Sequence, residues 1–162
     1  MDSAQTAPRD REGNAAIRQA TVQDASRIAE IAIFAKRVNY RSIFHNDRVS
    51  FGEMQVYPLA RAYVDHPESL CGIWVYEDEF VKGFIRLDGT QIAELYVDSF
   101  FANRGIGGRL IRFAIENHQS DRLWVLEKNV KARRFYERHG FMPTGNRKPE
   151  DGTAEYIIEL RR

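Results

Sequence analysis

The chain has 162 residues, of which 43% are hydrophobic and 29% are charged, a composition typical of a single globular domain. Its 24 basic and 23 acidic side chains give a formal charge of +1, which offers no global attraction for nucleic acid or a membrane surface. No apolar run is long enough to span a bilayer, and the N-terminus lacks the features of a secretory signal. We therefore expect a cytoplasmic protein.

Residues 1–14 are polar and lack any apolar period, which predicts a flexible tail followed by one domain over 15–162. The run AIRQA predicts the first strand, and Thr21 with Asp24 forms a capping-box signal for the helix that follows. Between Arg37 and Ser50 the apolar period decays, so a loop or irregular helix is expected there.

A second helix is expected from a cap at Ser50 and Glu53, with a break or kink at Pro58 because proline removes a helical hydrogen bond. Three strands, LCGIWVY, FVKGFIRL and IAELYV, then follow one another across short turns. This order predicts an antiparallel meander.

The second half alternates helices and strands: a helix over 105–118, the strand RLWVL, a helix over 130–139 and two strands near Phe141 and in EYIIEL. The first of these helices would join IAELYV to RLWVL by a right-handed crossover, which makes these two strands parallel. The sequence therefore predicts an α/β fold with a mixed, mostly antiparallel sheet flanked by helices.

Few residues suggest redox or metal chemistry. Cys71 is the single cysteine and lies in an apolar run, so a buried core thiol is favoured over a nucleophile. Trp74 and Trp124 lie in apolar strand runs and are expected to pack in the core. No metal is expected, because no ligand spacing relates Cys71 and the four histidines. The histidines are His45, His66, His118 and His139.

A glycine-bearing turn, RGIGGR, opens the helix over 105–118. Backbone N–H groups of a first helical turn lack intrahelical partners, so a phosphate over Gly105 to Gly108 is favoured, with Arg104 and Arg109 adding charged donors. The alternative is a glycine-rich turn with solvated arginines. A dinucleotide fingerprint is disfavoured because Leu110 replaces its third glycine, and no P-loop lysine follows.

The run NVKARRFYERHGF is by itself an amphipathic helix ending at a glycine. Together with RGIGG it resembles the GNAT superfamily of N-acetyltransferases, over roughly 16–160. The family pattern Asn-x-x-Ala-x-x-Phe-Tyr-x-x-x-Gly-Phe is matched by Asn129, Ala132, Phe135, Tyr136, Gly140 and Phe141. In that family this helix follows a strand that splays from its neighbour to admit the pantetheine arm of coenzyme A.

The resemblance implies a GNAT-like acyl-CoA N-acyltransferase fold that uses acetyl-CoA as co-substrate. Ala102 stands where the family usually has glutamine or arginine, which removes one side-chain contact but leaves the backbone donors. The implied coenzyme-binding residues are Leu95, Tyr96 and Val97 on the core strand, Arg104, Gly105, Ile106, Gly107, Gly108 and Arg109 in the turn, and Asn129, Ala132 and Phe135 on the later helix.

Transfer to an amine needs a proton acceptor, because an amine of pKa near ~10 is only about a thousandth neutral at pH 7, a cost of roughly 4 kcal/mol. Glu94 is the candidate base, with an exposed strand carboxylate or an anchor for the amine as alternatives. Three other carboxylates rank lower. They are Glu116, Glu127 and Glu137.

The tetrahedral intermediate needs a donor, for which a main-chain N–H near Tyr96 or Val97 is the candidate. The resemblance places Tyr136 near the coenzyme sulfur, where it could protonate the leaving thiolate. The alternative for Tyr136 is a buried core tyrosine.

The predicted function is acetyl transfer from acetyl-CoA to a primary amine by direct attack in a ternary complex. The acceptor, a small-molecule or peptide amine, is not identified by the sequence. The resemblance assigns its side of the site to Tyr40, Arg41, Phe44, His45 and Asn46, with parts around Tyr57 to Tyr63. No nucleic acid, membrane or metal partner is expected, and a homodimer is among the assemblies the sequence allows. The alternative is a non-catalytic acyl-CoA-binding sensor or regulatory module.

Overall fold

The computed structural model describes residues 16–162, so the tail predicted over 1–14 lies outside the described residues. Within the described residues, seven strands and four α-helices follow one another. In order these are β1 (Ala16–Gln19), α1 (Ala25–Phe44), α2 (Val56–Asp65), β2 (Ile73–Asp78), β3 (Phe80–Asp88), β4 (Gln91–Val97), α3 (Ile106–His118), β5 (Arg122–Leu126), α4 (Val130–Arg138), β6 (Met142–Pro149) and β7 (Tyr156–Arg161).

The strands form one sheet in the order β1-β2-β3-β4-β5-β7-β6. Every neighbouring pair is antiparallel except β4 and β5, which are parallel and joined through α3. The predicted meander, crossover and mixed sheet are therefore confirmed.

Two apolar layers cover the sheet. On one face, α1 and α2 pack against Val75, Phe84 and Tyr96 of the central strands. On the other face, α3 buries the stripe that includes Ile106, Leu110 and Ala114, as its 3.6-residue period predicts, and α4 packs beside it. The side chains of β4 alternate between these faces, so residues next to one another in this strand serve different layers.

Helix α1 is longer than the sequence predicts, since it continues through Arg37 to Phe44. Arg37 donates hydrogen bonds to the carbonyl oxygens of Ser50 (2.9 Å) and Met54 (2.8 Å), and the Tyr40 hydroxyl lies 3.0 Å from that of Tyr96. These tertiary contacts anchor a stretch in which the apolar period has faded. The expected loop was therefore wrong, whereas the π-helical segment Arg48–Glu53 that follows α1 agrees with the irregular helix given as the alternative.

The second helix also differs from its prediction. Ser50 is fully buried inside a short π-helical segment, Arg48–Glu53, and α2 starts only at Val56. Pro58 consequently lies in the first turn of α2, where the N–H it lacks would have no intrahelical acceptor. The expected break at Pro58 was wrong for this reason.

Cys71 is exposed, which contradicts the expected buried thiol. A 3₁₀ turn, Pro67–Leu70, occupies the start of the apolar run, and β2 begins only at Ile73. Trp74 packs at the edge of the core against Phe113, with 5.0 Å between ring centroids. Trp124 is half-buried beneath Lys148, whose Nζ lies 4.4 Å from the ring centroid.

Candidate functional site

The parallel strands β4 and β5 separate after a short paired stretch. Their register pairs Gln91 with Arg122 and Ile92 with Leu123, and in the described chain it continues no further. A bulge in β4 coincides with the point of separation, because Leu87 of β3 pairs with Ile92 whereas Arg86 pairs with Glu94. Bulges bend the strand that carries them. The C-terminal half of β4 therefore borders a gap.

Backbone groups of β4 face this gap. The Asp98 N–H donates to the Lys82 carbonyl at 2.9 Å, and Tyr96 lies opposite Phe84 in the same ladder. Because antiparallel ladders alternate, the N–H of Tyr96 is directed to β3, whereas those of Leu95 and Val97 are directed to the open side. Of the two donors expected from the sequence, the register therefore favours Val97.

The N-terminus of α3 presents free backbone donors. Gly105 caps the helix with a φ of 80°, and the first intrahelical bond is donated by Arg109 N–H to Gly105 O at 3.0 Å. The N–H groups of Ile106, Gly107 and Gly108 therefore have no intrahelical acceptor, and the helix dipole adds positive potential. This arrangement suits a phosphate.

Two glycines of this turn also allow close helix packing. A Cβ at position 107 would lie 3.3 Å from the Phe135 ring, and one at position 108 would lie 3.5 Å from His139 Nε2. The sequence did not predict this contact between α3 and α4, because it depends on how the two helices are placed.

The two arginines of the turn differ in their surroundings. Arg104 is exposed, with its guanidinium 5.4 Å from the centroid of the Phe101 ring. Arg109 instead donates to the Tyr76 hydroxyl at 3.1 Å and lies above that ring. Arg104 is thus placed to meet an anion at the helix end, whereas Arg109 would have to leave Tyr76.

Helix α4 is capped by Asn129, the first residue of the pattern in NVKARRFYERHGF. The Asn129 side chain accepts a hydrogen bond from the Ala132 N–H at 3.2 Å and so caps the helix. Ala132, Phe135 and Tyr136 then pack against the cluster that contains α3. This cap is a local reason for asparagine at position 129, and a coenzyme contact from Asn129 stays a prediction.

Tyr136 belongs to a group of interacting tyrosines. Its ring makes edge-to-face contacts with Phe135 and Phe141. Burial, and next the charge of Tyr40, raise the pKa of Tyr136 above its ordinary value of 10.0. Burial also raises the pKa of Tyr96, with further contributions from Tyr40 and Tyr136. The three phenols therefore lie near one another, and Tyr136 is protonated at neutral pH.

Glu94 lies on the opposite face of β4 from Leu95 and Val97, beneath α1. Its Oε1 is 3.3 Å from Lys36 Nζ and its Oε2 accepts a bond from Arg86 Nε at 2.9 Å. Its side chain is 15% exposed. The sequence did not single out Lys36 or Arg86. The hairpin between β3 and β4 could have suggested Arg86, but the bulge changes the register.

The other candidate carboxylates lie elsewhere. Glu116 is exposed on α3, and Glu127 forms an ion pair with Arg147 at 2.8 Å. Glu137 is half-buried on α4. Glu94 is the one of these four on the strand that borders the gap.

The segment expected to bind the acceptor is divided between two surfaces. The Tyr40 hydroxyl lies 3.0 Å from that of Tyr96. Burial and then the Glu94 charge raise the pKa of Tyr63, and the Arg86 charge lowers it. Arg41 and His45 instead line a groove of about 750 Å³ on the outer side of α1.

Two features are absent from residues 16–162. No group of three or more His, Cys, Asp or Glu side chains could hold a metal ion there. Nor does that part of the chain contain a helix with the length and hydropathy needed to cross a membrane.

Comparisons with known proteins agree with this geometry. Residues 69–143 match the family model described as an acetyltransferase (GNAT) domain. The chain is 32% identical over 87 residues to the peptidyl-lysine N-acetyltransferase YiaC of Escherichia coli, covering 52% of this chain and 57% of YiaC. The alignments span less than two thirds of the curated relatives' lengths.

Solved structures extend the likeness over most of the described fold. The apo form of YjaB from Escherichia coli superposes with a TM-score of 0.69 at 22% identity, covering 92% of this chain and 97% of YjaB. The PaiA N-acetyltransferase of Thermoplasma acidophilum, solved with coenzyme A, superposes with a TM-score of 0.65 at 19% identity. The alignment covers 93% of this chain and 100% of PaiA. Residues 69–143 of the chain are therefore similar to a GNAT acetyltransferase domain, and the described fold is the one that these solved acetyltransferases share.

Proposed function

We propose that this protein transfers an acetyl group from acetyl-CoA to a primary amine. The observation that carries the proposal is the gap between β4 and β5, which opens on the side of the sheet where α3 presents three unpaired N–H groups. A gap lined by strand backbone suits an amide-bearing arm, and the helix end suits a pyrophosphate. The coenzyme-bound neighbour is consistent with this assignment.

In this assignment Ile106, Gly107 and Gly108 donate backbone hydrogen bonds to the pyrophosphate, and Arg104 adds charge at the mouth of the turn. Leu95 and Val97 offer backbone groups to the pantetheine arm. Phe135 and Ala132 form the apolar wall on the α4 side.

The reaction requires the acceptor to lose a proton before it attacks. Glu94 would accept a proton from the ammonium, directly or through water, and the neutral nitrogen would then attack the acetyl carbonyl. Both Glu94 oxygens face cations, so Lys36 or Arg86 would shift as the proton is taken up.

The remaining steps use groups beside the gap. A C–N bond forms and the C–S bond breaks, while the Val97 N–H stabilises the negative oxygen of the intermediate. The nitrogen loses its second proton to solvent as the amide forms, and the coenzyme sulfur leaves as a thiolate. Tyr136, protonated because its pKa is raised by burial and then by Tyr40, would donate a proton to that sulfur and regain one from solvent.

Acetyl-CoA binding can be tested by thermal unfolding. A ligand at 100 times its dissociation constant stabilises the native state by about 2.7 kcal/mol, which corresponds to roughly 5–10 °C for a chain of this size. Free coenzyme A should also stabilise the protein, whereas acetate alone should not. No shift at millimolar acetyl-CoA would contradict the proposal.

Transfer itself can be followed as thiol release with a panel of amines. We expect release that depends on the amine added. Stabilisation by acetyl-CoA without release for any amine would instead indicate the non-catalytic acyl-CoA-binding module.

A further inference from the structure

The carboxylate of Glu94 lies within a cluster of three charged side chains, which we call the Glu94 triad: Lys36, Arg86 and Glu94. Lys36 Nζ is 3.3 Å from Oε1, and Arg86 Nε is 2.9 Å from Oε2. Two cations around one carboxylate leave a formal charge of +1. An acceptor whose only charge is its ammonium would therefore meet an excess of like charge.

Arg86 has donors left over for a ligand. It uses Nε toward Glu94, and within residues 16–162 its two terminal nitrogens make no further hydrogen bond. Its side chain is 42% exposed. A guanidinium with free terminal N–H groups binds a carboxylate through two parallel hydrogen bonds.

The surroundings of the triad define the rest of this pocket. Tyr40 and Tyr96 share a hydrogen bond at 3.0 Å, and Lys36 Nζ lies 5.9 Å from the Tyr96 ring centroid. Burial raises the pKa of Tyr63, the Glu94 charge raises it further and the Arg86 charge lowers it, so α2 also borders the triad. Phenols thus form the uncharged walls.

We propose that the acceptor is an amine that also carries a carboxylate on the same or a neighbouring carbon, as a free α-amino acid does. This inference rests on the proposed acetyl transfer. Arg86 binds the acceptor carboxylate, Lys36 adds attraction, and the amine lies beside Glu94. Arg86 and Glu94 are direct cross-strand partners, so their ligands are adjacent, as are the two groups of an α-amino acid.

The test is a panel of matched acceptors, each α-amino acid being compared with its amide, which keeps the amine and lacks the carboxylate. Thiol release should give a kcat/KM about 10- to 100-fold higher for the acid, the range for a charge-assisted bidentate contact. The panel also includes an α-acetylated lysine amide, which mimics a lysine within a peptide.

Three variants assign the preference to Arg86. Arg86→Gln should reduce the ratio of kcat/KM for the acid to kcat/KM for the amide to within about threefold. Arg86→Lys should retain part of this preference for the acid, because the charge remains. Arg161→Gln is the matched control, because Arg161 is an exposed arginine of β7 paired with Glu159. The control should keep the wild-type ratio.

A second measurement, product inhibition of the wild-type enzyme, needs no variant. The N-acetylated acid should inhibit at least about tenfold more strongly than the N-acetylated amide. Equal turnover of acids and amides, or preference for the lysine amide, would overturn the carboxylate inference and leave acetyl transfer standing. Thiol release with none of these amines, or no stabilisation by acetyl-CoA, would overturn both.

Discussion

Replacing Tyr136 with phenylalanine separates a catalytic phenol from a core tyrosine. Among the described residues the Tyr136 hydroxyl has no hydrogen-bond partner, while its ring contacts Phe135 and Phe141. The variant keeps the ring, so the free energy of unfolding should change by less than about 0.5 kcal/mol. Positioned general-acid catalysis contributes about 10²- to 10⁴-fold, equivalent to about 2.7–5.4 kcal/mol of activation free energy. We therefore expect kcat to fall by at least about 10²-fold.

The assay follows thiol release at saturating acetyl-CoA, with thermal unfolding of the same sample. The raised pKa keeps wild-type Tyr136 protonated past its ordinary value of 10.0, so its ionisation should not reduce kcat between pH 7 and 9. Tyr156→Phe makes the same chemical change at an exposed tyrosine of β7 and should leave both measurements unchanged. A Tyr136→Phe variant with wild-type kcat and a stability loss of about 0.5–1.5 kcal/mol would refute the acid role.

Further predictions concern the turn, the candidate base and a structural ion pair. Gly107→Ala places a Cβ 3.3 Å from Phe135 and should preserve most of the acetyl-CoA affinity. Gly107→Asp should weaken acetyl-CoA binding, measured by calorimetry, at least about tenfold more than Gly107→Ala does, because its carboxylate repels the pyrophosphate. Equal affinities of the two variants would place the pyrophosphate elsewhere. Glu94→Gln should lower kcat at pH 7 and recover toward pH 10 if Glu94 accepts a proton, and a variant-to-wild-type ratio constant with pH would contradict that role. Asp24→Ala should cost about 2 kcal/mol in urea unfolding at pH 7, because Asp24 is 8% exposed and pairs with Arg18 at 2.8 Å. Desolvation opposes ionisation of Asp24, but hydrogen bonds from Arg18 and Thr21 outweigh it and lower the pKa below 3.8. The contribution of ionised Asp24 to the free energy of unfolding is therefore present above pH 3.8 and is lost as the pH falls through the lower folded-state pKa. A difference in the free energy of unfolding between Asp24→Ala and wild type that persists in strong acid would contradict the ion pair as its cause.

Local signals predicted the two helix starts to which the proposed function assigns the coenzyme. The glycines and arginines of RGIGGR predict an anion-binding helix start, and the structure places Gly105 at the N-cap of α3. The run NVKARRFYERHGF predicts a helix with Asn129 before it, and Asn129 is the N-cap of α4. Both features depend on residues within one turn of a helix, which is why the sequence could predict them.

Long-range contacts decided the acceptor half. Lys36 meets Glu94 across two elements, and the bulge in β4 sets which residue of β3 lies opposite Glu94. The length of α1 depended on tertiary contacts made by Arg37 and Tyr40. Helix periodicity carries no information about such partners, because each is brought close by another part of the chain.

The sequence by itself determined the order of strands and helices, the α/β class and the glycine turn that starts α3, because periodicity, caps and glycines act between near neighbours. Tertiary structure alone decided the exposure of Cys71, the hydrogen bond from Arg109 to Tyr76 and the two cations beside Glu94. The physical reason is that burial, strand register and charge pairing are properties of segments that meet only after the chain has folded.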